Sequence, residues 1–120
     1  MSSLDKLSSW KNIENHSKNI SEKSLNDLFK MDKHRFNKFS IQEKNLLLDF
    51  SKNHIDDKMM KLFTHLLDEI NIKDKITDLF NGEKINNSEN RSVLHFLLRG
   101  SYNSKTKELY DNNVKKSIDK

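Results

Sequence analysis

The clearest helix signal in the chain lies at residues 56–70, which read DDKMMKLFTHLLDEI. Large apolar residues recur there at spacings of three and four, so they share one face of a helix. They are Met59, Met60, Phe63, Leu66, Leu67 and Ile70. Asp56 stands where a helix N-cap accepts backbone hydrogen bonds. We expect this face to pack into a core, and a groove for a partner protein is the alternative interpretation.

Immediately before this helix, residues 46–50 read LLLDF, an apolar run without helical periodicity. A run of this length is typical of a buried strand, and a short helix is the alternative. A strand buried on both faces needs neighbouring strands to satisfy its backbone N–H and C=O groups. Because the rest of the chain offers few candidates, we predict one short strand that lacks its sheet partners.

Shorter helical segments are predicted towards the N-terminus. Apolar residues at every third position indicate a helix within the first sixteen residues, with Ser3 as its candidate N-cap. They are Leu4, Leu7, Trp10 and Ile13. Ser24 precedes a second short helix. A single helical turn follows, with Phe36 and Phe39 as its two aromatic anchors.

Further helices are predicted after residue 70. A helix carrying Ile76, Leu79 and Phe80 is expected to end at Gly82, since glycine suits the left-handed position after a helix. Another is expected to begin at Ser88 and to end at Gly100. A spacing of four then indicates a last helix through Tyr110, Val114 and Ile118. With no proline and two glycines, the chain is predicted to be mostly α with one short strand.

Composition and charge exclude several classes of function. The 22 basic and 18 acidic residues are interspersed, whereas a nucleic-acid binder more often gathers Lys and Arg on one face. The absence of cysteine excludes disulfides and thiolate metal sites. No apolar stretch approaches the roughly 18 residues that span a bilayer, and the N-terminus lacks the apolar centre of a secretory signal. We therefore expect a cytoplasmic protein that binds neither nucleic acid nor membrane.

Four ordered pieces of the chain carry a resemblance to a known family. Trp10 lies in the first helix, and residues 46–53 read LLLDFSKN. Residues 80–99 read FNGEKINNSENRSVLHFLLR. The remaining piece consists of Leu28, Phe29, Asp32, Arg35, Phe36, Phe39 and Ser40. Together these pieces resemble the N-terminal part of the glucose-6-phosphate isomerases. The departures are mild: Phe50 replaces a tyrosine, Ser88 a threonine, Ser92 and Leu97 alanines, and Asn87 an aromatic residue.

The resemblance implies a fold and an activity for the intact protein. Members of the family have two α/β domains of the sugar-isomerase sandwich type. They interconvert glucose 6-phosphate and fructose 6-phosphate in glycolysis and gluconeogenesis by proton transfer through an enediol. They work as homodimers, and we expect no cofactor. The family's catalytic and phosphate-binding motifs lie beyond the region that this sequence matches.

We therefore expect residues 1–120 to be the N-terminal segment of such an enzyme, ending before the catalytic motifs and inactive alone. No catalytic, substrate-binding or metal-ligating residue is assigned to it. The alternative is a free-standing helical module for protein interaction that derives from the same region. A basic helical nucleic-acid binder is a third hypothesis, which would require strongly salt-dependent binding.

Two groups of polar residues are candidates for binding sites. Lys84, Arg91 and Arg99 could bind an anion such as a sugar phosphate, but surface cations paired with nearby acids are the favoured interpretation. The Gly-Glu-Lys sequence at residues 82–84 lacks the second glycine of a phosphate-binding loop. His65 and Glu69 are four residues apart and could hold a metal, yet a solvated pair is favoured.

The other histidines give weaker signals. His54 near Asp56 and Asp57 is an equally weak metal candidate. His95 lies beside an apolar stripe, where a packed, hydrogen-bonded histidine is more common than a catalytic one. His16 and His34 lie in polar surroundings and indicate no site.

Overall fold

The structure, a computed structural model, describes residues 4–100 and 103–116 of the chain. These residues form two compact units that divide between Glu69 and Ile70. Helices hold 61% of the described residues, and one two-stranded antiparallel sheet accompanies them. The predicted mostly α class is therefore confirmed.

The first unit alternates short helices with a hairpin. A 3-10 turn at Leu4–Lys6 leads into helix α1. The elements that follow are α1 Ser8–Ser21, α2 Leu25–Met31, α3 Arg35–Lys38, β1 Ser40–Glu43, β2 Leu46–Asp49 and α4 Asp57–Glu69. The cap predicted at Asp56 is confirmed, and Ser24, which precedes α2 as predicted, also caps its helix. Ser24 accepts a hydrogen bond from the Asp27 N–H, and Asp56 accepts one from the Met59 N–H at 2.8 Å. Ser3 lies outside the described residues.

The predicted strand is present, but its surroundings differ from the prediction. β2 pairs antiparallel with β1, so the chain supplies one neighbouring strand that was not predicted. The expectation that Leu46, Leu47 and Leu48 are buried on both faces is wrong, because all three are more than half exposed. β1 escaped prediction because its sequence, SIQE, has only one large apolar residue.

The core of the first unit gathers residues from five separate segments. Its buried apolar residues are Ile20, Leu28, Phe39, Ile55 and Met59. α1 packs against α4. Phe39 is buried as predicted, whereas Phe36 is 46% exposed and therefore does not act as an anchor. On α4, Met59 is buried, but Phe63 and Leu67 remain about two-fifths exposed, so only part of the predicted face packs.

The second unit consists of short helical segments joined by tight turns. They are α5 Ile72–Phe80, a 3-10 helix at His95–Arg99, α6 Ser104–Leu109 and a π-helical segment at Tyr110–Lys115. α5 ends before Gly82 and the 3-10 helix ends at Gly100, both as predicted, and both glycines have a φ of +72°. The last helix is present through Val114, and Ile118 lies outside the described residues.

The helix predicted to begin at Ser88 is wrong over its first half. Residues 87–90 form a turn that is closed by an antiparallel bridge between Asn86 and Arg91. The Asn86 side-chain oxygen accepts hydrogen bonds from the Ser88 hydroxyl at 2.8 Å and from the Glu89 N–H at 3.3 Å. Such local bonds from side chains offer the backbone an alternative to the helix. Asn90, with a φ of +49°, completes the turn.

Gly82 permits a close approach of α6 to the turn that follows α5. A Cβ atom at this position would lie 2.5 Å from Leu109 Cδ1 and 3.3 Å from Thr106 Cγ2. Thr106 of α6 and Leu97 of the 3-10 helix have no exposed surface, so these two residues form the buried part of this unit. The Ser92 hydroxyl also donates a hydrogen bond to the Gly82 carbonyl oxygen. The start of the segment at residues 82–86, GEKIN, is thus held in place by contacts at Gly82.

Candidate functional site

The most deeply buried charged group described is the guanidinium of Arg35, whose residue is only 2% exposed. It donates hydrogen bonds to three backbone carbonyl oxygens of the loop between β2 and α4. Nε donates to Ser51 at 2.6 Å and Nη1 to Ile55 at 2.7 Å, while Nη2 donates to Asn53. A planar fork of five N–H donors suits this task, which an ammonium cannot reproduce. Arg35 therefore fixes the path of residues 51–55.

The remaining surface of the guanidinium lies against aromatic rings. Its central carbon is 4.9 Å from the centroid of Phe39 and 5.6 Å from that of Phe29. Ring faces attract cations, and this attraction strengthens where water is excluded. Carbonyl dipoles and ring faces thus compensate the buried charge, and no carboxylate takes part among the salt bridges of the described residues.

The same loop is also tied to the end of β2. The Ser51 N–H donates a hydrogen bond to Asp49 Oδ1 at 2.9 Å, and Ser51 is 1% exposed. Hydrogen bonds from the Ser51 hydroxyl and from its N–H lower the pKa of Asp49. We name Arg35, Asp49, Ser51, Asn53 and Ile55 the Arg35 cluster. It brings together two pieces of sequence that carry the family resemblance.

An open cleft of about 370 Å³ lies beside this cluster. Its wall holds Lys23, Leu28, Met31, Asp32, Arg35, Lys38, Phe39, Asp56 and Asp57. Lys38 Nζ lies 2.8 Å from Asp32 and 2.9 Å from Asp57. The hydrogen bond to Asp32, followed by the one to Asp57, raises the pKa of Lys38 to about 12, and the same contact lowers the pKa of Asp32. Because carboxylates already hold Lys38 and carbonyls already hold Arg35, these cations are not free to bind an anion.

His16 forms a hydrogen bond that the sequence did not indicate. Its Nε2 lies 2.8 Å from Asp56 Oδ1 and 3.0 Å from Oδ2. Burial alone would raise the pKa of Asp56, but hydrogen bonds from the Met59 N–H and from His16 outweigh it and lower the pKa. His54 instead lies 3.1 Å from the Lys23 carbonyl oxygen, so it does not join Asp56 in a metal site.

Glu69 serves as a cap for a distant helix. Its Oε2 accepts hydrogen bonds from the Ser9 N–H at 3.0 Å and from the Ser9 hydroxyl, and Oε1 accepts one from the Ser8 hydroxyl at 3.2 Å. Leu7, the N-cap of α1, supplies no side-chain bond, so Glu69 takes over that task. The interpretation of His65 and Glu69 as a pair is therefore wrong. Within the described ranges, no group of three or more histidines and carboxylates could hold a metal ion.

The candidate cations of the second unit are dispersed. Arg91 Nε pairs with Glu89 at 2.6 Å, which confirms the ion-pair interpretation for that residue. Lys84 is exposed and does not share a cleft with Arg99. Arg99 lines an open cleft of about 330 Å³ with Phe80, His95 and Phe96. His95 is exposed, so the expectation of a packed histidine is wrong; the 3-10 helix turns it outward while Leu97 is fully buried.

Comparison with known proteins places these features in a family. A phosphoglucose isomerase family profile matches residues 49–118. The chain belongs to the phosphoglucose isomerase family. The loop that Arg35 and Asp49 order lies at the start of the region that the family profile matches, and Gly82 lies within that region.

Individual relatives support the same assignment. The chain is 48% identical over 101 residues to glucose-6-phosphate isomerase of Buchnera aphidicola subsp. Schizaphis graminum, covering 83% of this chain and 18% of that protein. It is 42% identical over 107 residues to the enzyme of Campylobacter jejuni subsp. doylei, covering 89% and 20%. For Saccharophagus degradans the identity is 36% over 116 residues, covering 97% and 21%. The chain thus spans about a fifth of the length of these relatives, and the matches give no support to a free-standing interaction module.

Two structural roles in this phosphoglucose isomerase family chain escaped the sequence analysis. Arg35 was noted for its resemblance, but its burial was not predicted, because an arginine between aromatic residues has no sequence signature that separates it from a surface residue. Glu69 lies 60 residues from Ser9, so no local pattern joins them. No helix in the described part of the chain is long and apolar enough to cross a membrane.

Proposed function

We propose that this chain is the N-terminal segment of a glucose-6-phosphate isomerase, the enzyme that interconverts glucose 6-phosphate and fructose 6-phosphate. The observation that carries the proposal is the 48% identity over 101 residues to a relative of that name. The 42% and 36% identities over similar lengths support it independently.

In this proposal the segment contributes support and no reacting group. The Arg35 cluster orders a loop, and the cations Arg35 and Lys38 are held by carbonyl oxygens and carboxylates. No residue of the segment is assigned to catalysis, to substrate binding or to a metal. The sugar phosphate is then bound by the remainder of the enzyme, which we propose to be a cytoplasmic homodimer.

A segment exchange tests the proposal. The matching segment of the Campylobacter jejuni relative would be replaced by this chain, and isomerase activity would be measured by coupling glucose 6-phosphate formation to its dehydrogenase. We expect the exchanged enzyme to keep activity within about tenfold of the parent, since the catalytic groups come from the parent. The control is the parent enzyme from which the matching N-terminal segment has been deleted. It should be inactive, because the Arg35 cluster and the packing of the segment are then missing.

Loss of all activity in a folded exchanged enzyme would contradict the proposal. To establish that the enzyme is folded, its circular dichroism and its cooperative melting would be compared with those of the parent. A folded but inactive enzyme would mean that residues specific to the parent's own segment take part in the reaction.

A further inference from the structure

The β1–β2 hairpin presents an apolar face that nothing in the described structure covers. Residues paired across the strands lie on the same side of a sheet, and successive residues alternate sides. The register pairs Ile41 with Leu48 and Glu43 with Leu46. Ile41, Glu43, Leu46 and Leu48 therefore share one side, and we name its three apolar residues, Ile41, Leu46 and Leu48, the hairpin face. Ser40, Gln42, Leu47 and Asp49 lie on the opposite side.

All three residues of the hairpin face are largely in solvent. Ile41 is 58% exposed, Leu46 is 71% exposed and Leu48 is 57% exposed. A two-stranded hairpin is marginally stable in water unless a further strand or a covering layer buries its apolar side. The three large aliphatic side chains therefore form an apolar surface that lacks a packing partner. The opposite side of the hairpin carries mostly polar residues and needs no such partner.

The base of the hairpin is held firmly, which fixes the direction of this face. The Phe50 N–H donates a hydrogen bond to the Phe39 carbonyl oxygen at 2.9 Å, and the two rings lie 6.1 Å apart. Phe39 is buried in the core and contacts Arg35. The Arg35 cluster fixes the loop that follows β2. A surface that is ordered before it binds loses less entropy when a partner covers it.

We propose that the hairpin face docks against the part of the isomerase polypeptide that this chain does not contain. This inference rests on the proposed function. The relatives are about five times as long as the matched segment, which covers 18–21% of them, so a large partner of the same polypeptide is available. The occupant presents apolar side chains to Ile41, Leu46 and Leu48, and the side with Ser40 and Gln42 stays in water.

Leu47 and Leu48 supply a matched pair of variants for the test. They are neighbours on β2, they are of the same residue type, and they are 53% and 57% exposed, but they lie on opposite sides of the hairpin. Leu48→Ser and Leu47→Ser would be made in the isolated 120-residue chain and in the exchanged Campylobacter jejuni enzyme. Thermal melting would be followed in all cases, with isomerase activity as a second measurement in the exchanged enzyme.

In the isolated chain we expect both variants to melt within about 2 °C of the parent, because both side chains are already exposed. In the exchanged enzyme we expect Leu48→Ser to lower the melting temperature by about 3 °C or more, and Leu47→Ser to lower it by less than half as much. Size-exclusion chromatography of the isolated chain would show whether a second copy covers the face instead.

Several outcomes would overturn the inference. It would be overturned if the two variants lowered the melting temperature of the exchanged enzyme equally. It would also be overturned if Leu48→Ser lowered the melting temperature of the isolated chain as much as that of the exchanged enzyme. A dimer of the isolated chain that Leu48→Ser dissociates would assign the face to a second copy. An active exchanged enzyme that is indifferent to Leu48→Ser would reject the inference alone, whereas a folded but inactive exchanged enzyme would reject the proposed function as well.

Discussion

Arg35 supplies the hydrogen-bond donors that an irregular loop cannot obtain from secondary structure. Buried carbonyl groups that lose their partners cost free energy, so a loop crossing a core needs donors from elsewhere. The guanidinium donates hydrogen bonds to the carbonyl oxygens of Ser51, Asn53 and Ile55. It also lies against the ring of Phe39. The shared sequence pieces around residues 35 and 51 are thus explained by one structural contact.

Replacing Arg35 with methionine should lower the free energy of unfolding by about 3 kcal/mol or more. The apolar side chain fills the space but leaves the carbonyl oxygens of Ser51 and Ile55 without their donors, each bond to a charged group being worth about 1.5–3 kcal/mol. Arg35→Lys should also be destabilising, because the ammonium keeps the buried charge but cannot bond all three carbonyl oxygens as the planar fork does. Urea unfolding followed by circular dichroism measures both. Arg91→Met, at an exposed site, is the control, and a loss as small as that of the control would contradict the assigned role.

Gly82 and Gly100 separate backbone strain from close packing. Both have a φ of +72°, but a Cβ atom at Gly100 would meet nothing within 4 Å, whereas one at Gly82 would meet Leu109 at 2.5 Å. Alanine at either position should cost about 1–2 kcal/mol for the left-handed backbone. Gly82→Ala should cost about 1 kcal/mol more, since Leu109 must move. Equal free energies of unfolding for the two variants would show that α6 adapts without cost.

Among the elements, α1 depends on a carboxylate from α4 for its N-terminal cap. The Ser8 and Ser9 groups at the start of α1 donate to Glu69, and a negative charge at a helix N-terminus is also favoured by the helix dipole. The Ser9 hydroxyl, followed by the Ser9 N–H, lowers the pKa of Glu69 from its ordinary value of 4.5. This contact therefore links the packing of two helices to pH.

The stability that Glu69 confers should depend on pH with a defined sign. Because its pKa is lower in the folded state, the contribution is complete above the unfolded value of 4.5 and is lost as the pH falls through the folded pKa. Glu69→Gln should therefore lose less stability than the parent between about pH 5 and about pH 3. Urea midpoints at several pH values measure this. Glu14→Gln, the same chemical change at an exposed position of α1, is the control, and a pH dependence in Glu69→Gln equal to that of the parent would exclude the cap.

At the scale of the whole molecule, as far as the structure describes it, more large apolar side chains are exposed than buried. Among the described residues, six hydrophobic side chains are buried, while thirteen large ones are exposed. The candidate cations are divided between an ion pair at Arg91, an exposed Lys84 and an open cleft at Arg99. Such an arrangement supports the proposal that the chain is a segment of a larger enzyme.

The 120-residue chain by itself should therefore show no isomerase activity above the background of the coupled assay. The reason is that Arg35 and Lys38, two cations of the cleft beside the Arg35 cluster, are already held by carbonyl oxygens and carboxylates. The exchanged enzyme described above is the positive control. Isomerase activity that stays with the isolated chain through repurification, and that is absent from a mock preparation made without the chain, would contradict this expectation.

Much of the local structure could be predicted from short-range patterns. The α4 stripe, the caps at Ser24 and Asp56, and the glycines that end α5 and the 3-10 helix all act within one helical turn. The prediction of a helix from Ser88 is wrong because of another short-range interaction. Asn86 binds Ser88 and Glu89 through its side chain, and apolar spacing alone does not report that competition.

The sequence by itself determined the mostly α class, the main helix limits and the family, because these depend on neighbours along the chain and on ordered motifs. Only the tertiary structure decided the burial of Arg35, the cap from Glu69 to Ser9 and the pairing of His16 with Asp56. The sequence separations of these three contacts are 16, 60 and 40 positions, in that order. Which polar groups meet over such separations is set by how the helices pack, and packing is a property of the whole folded unit.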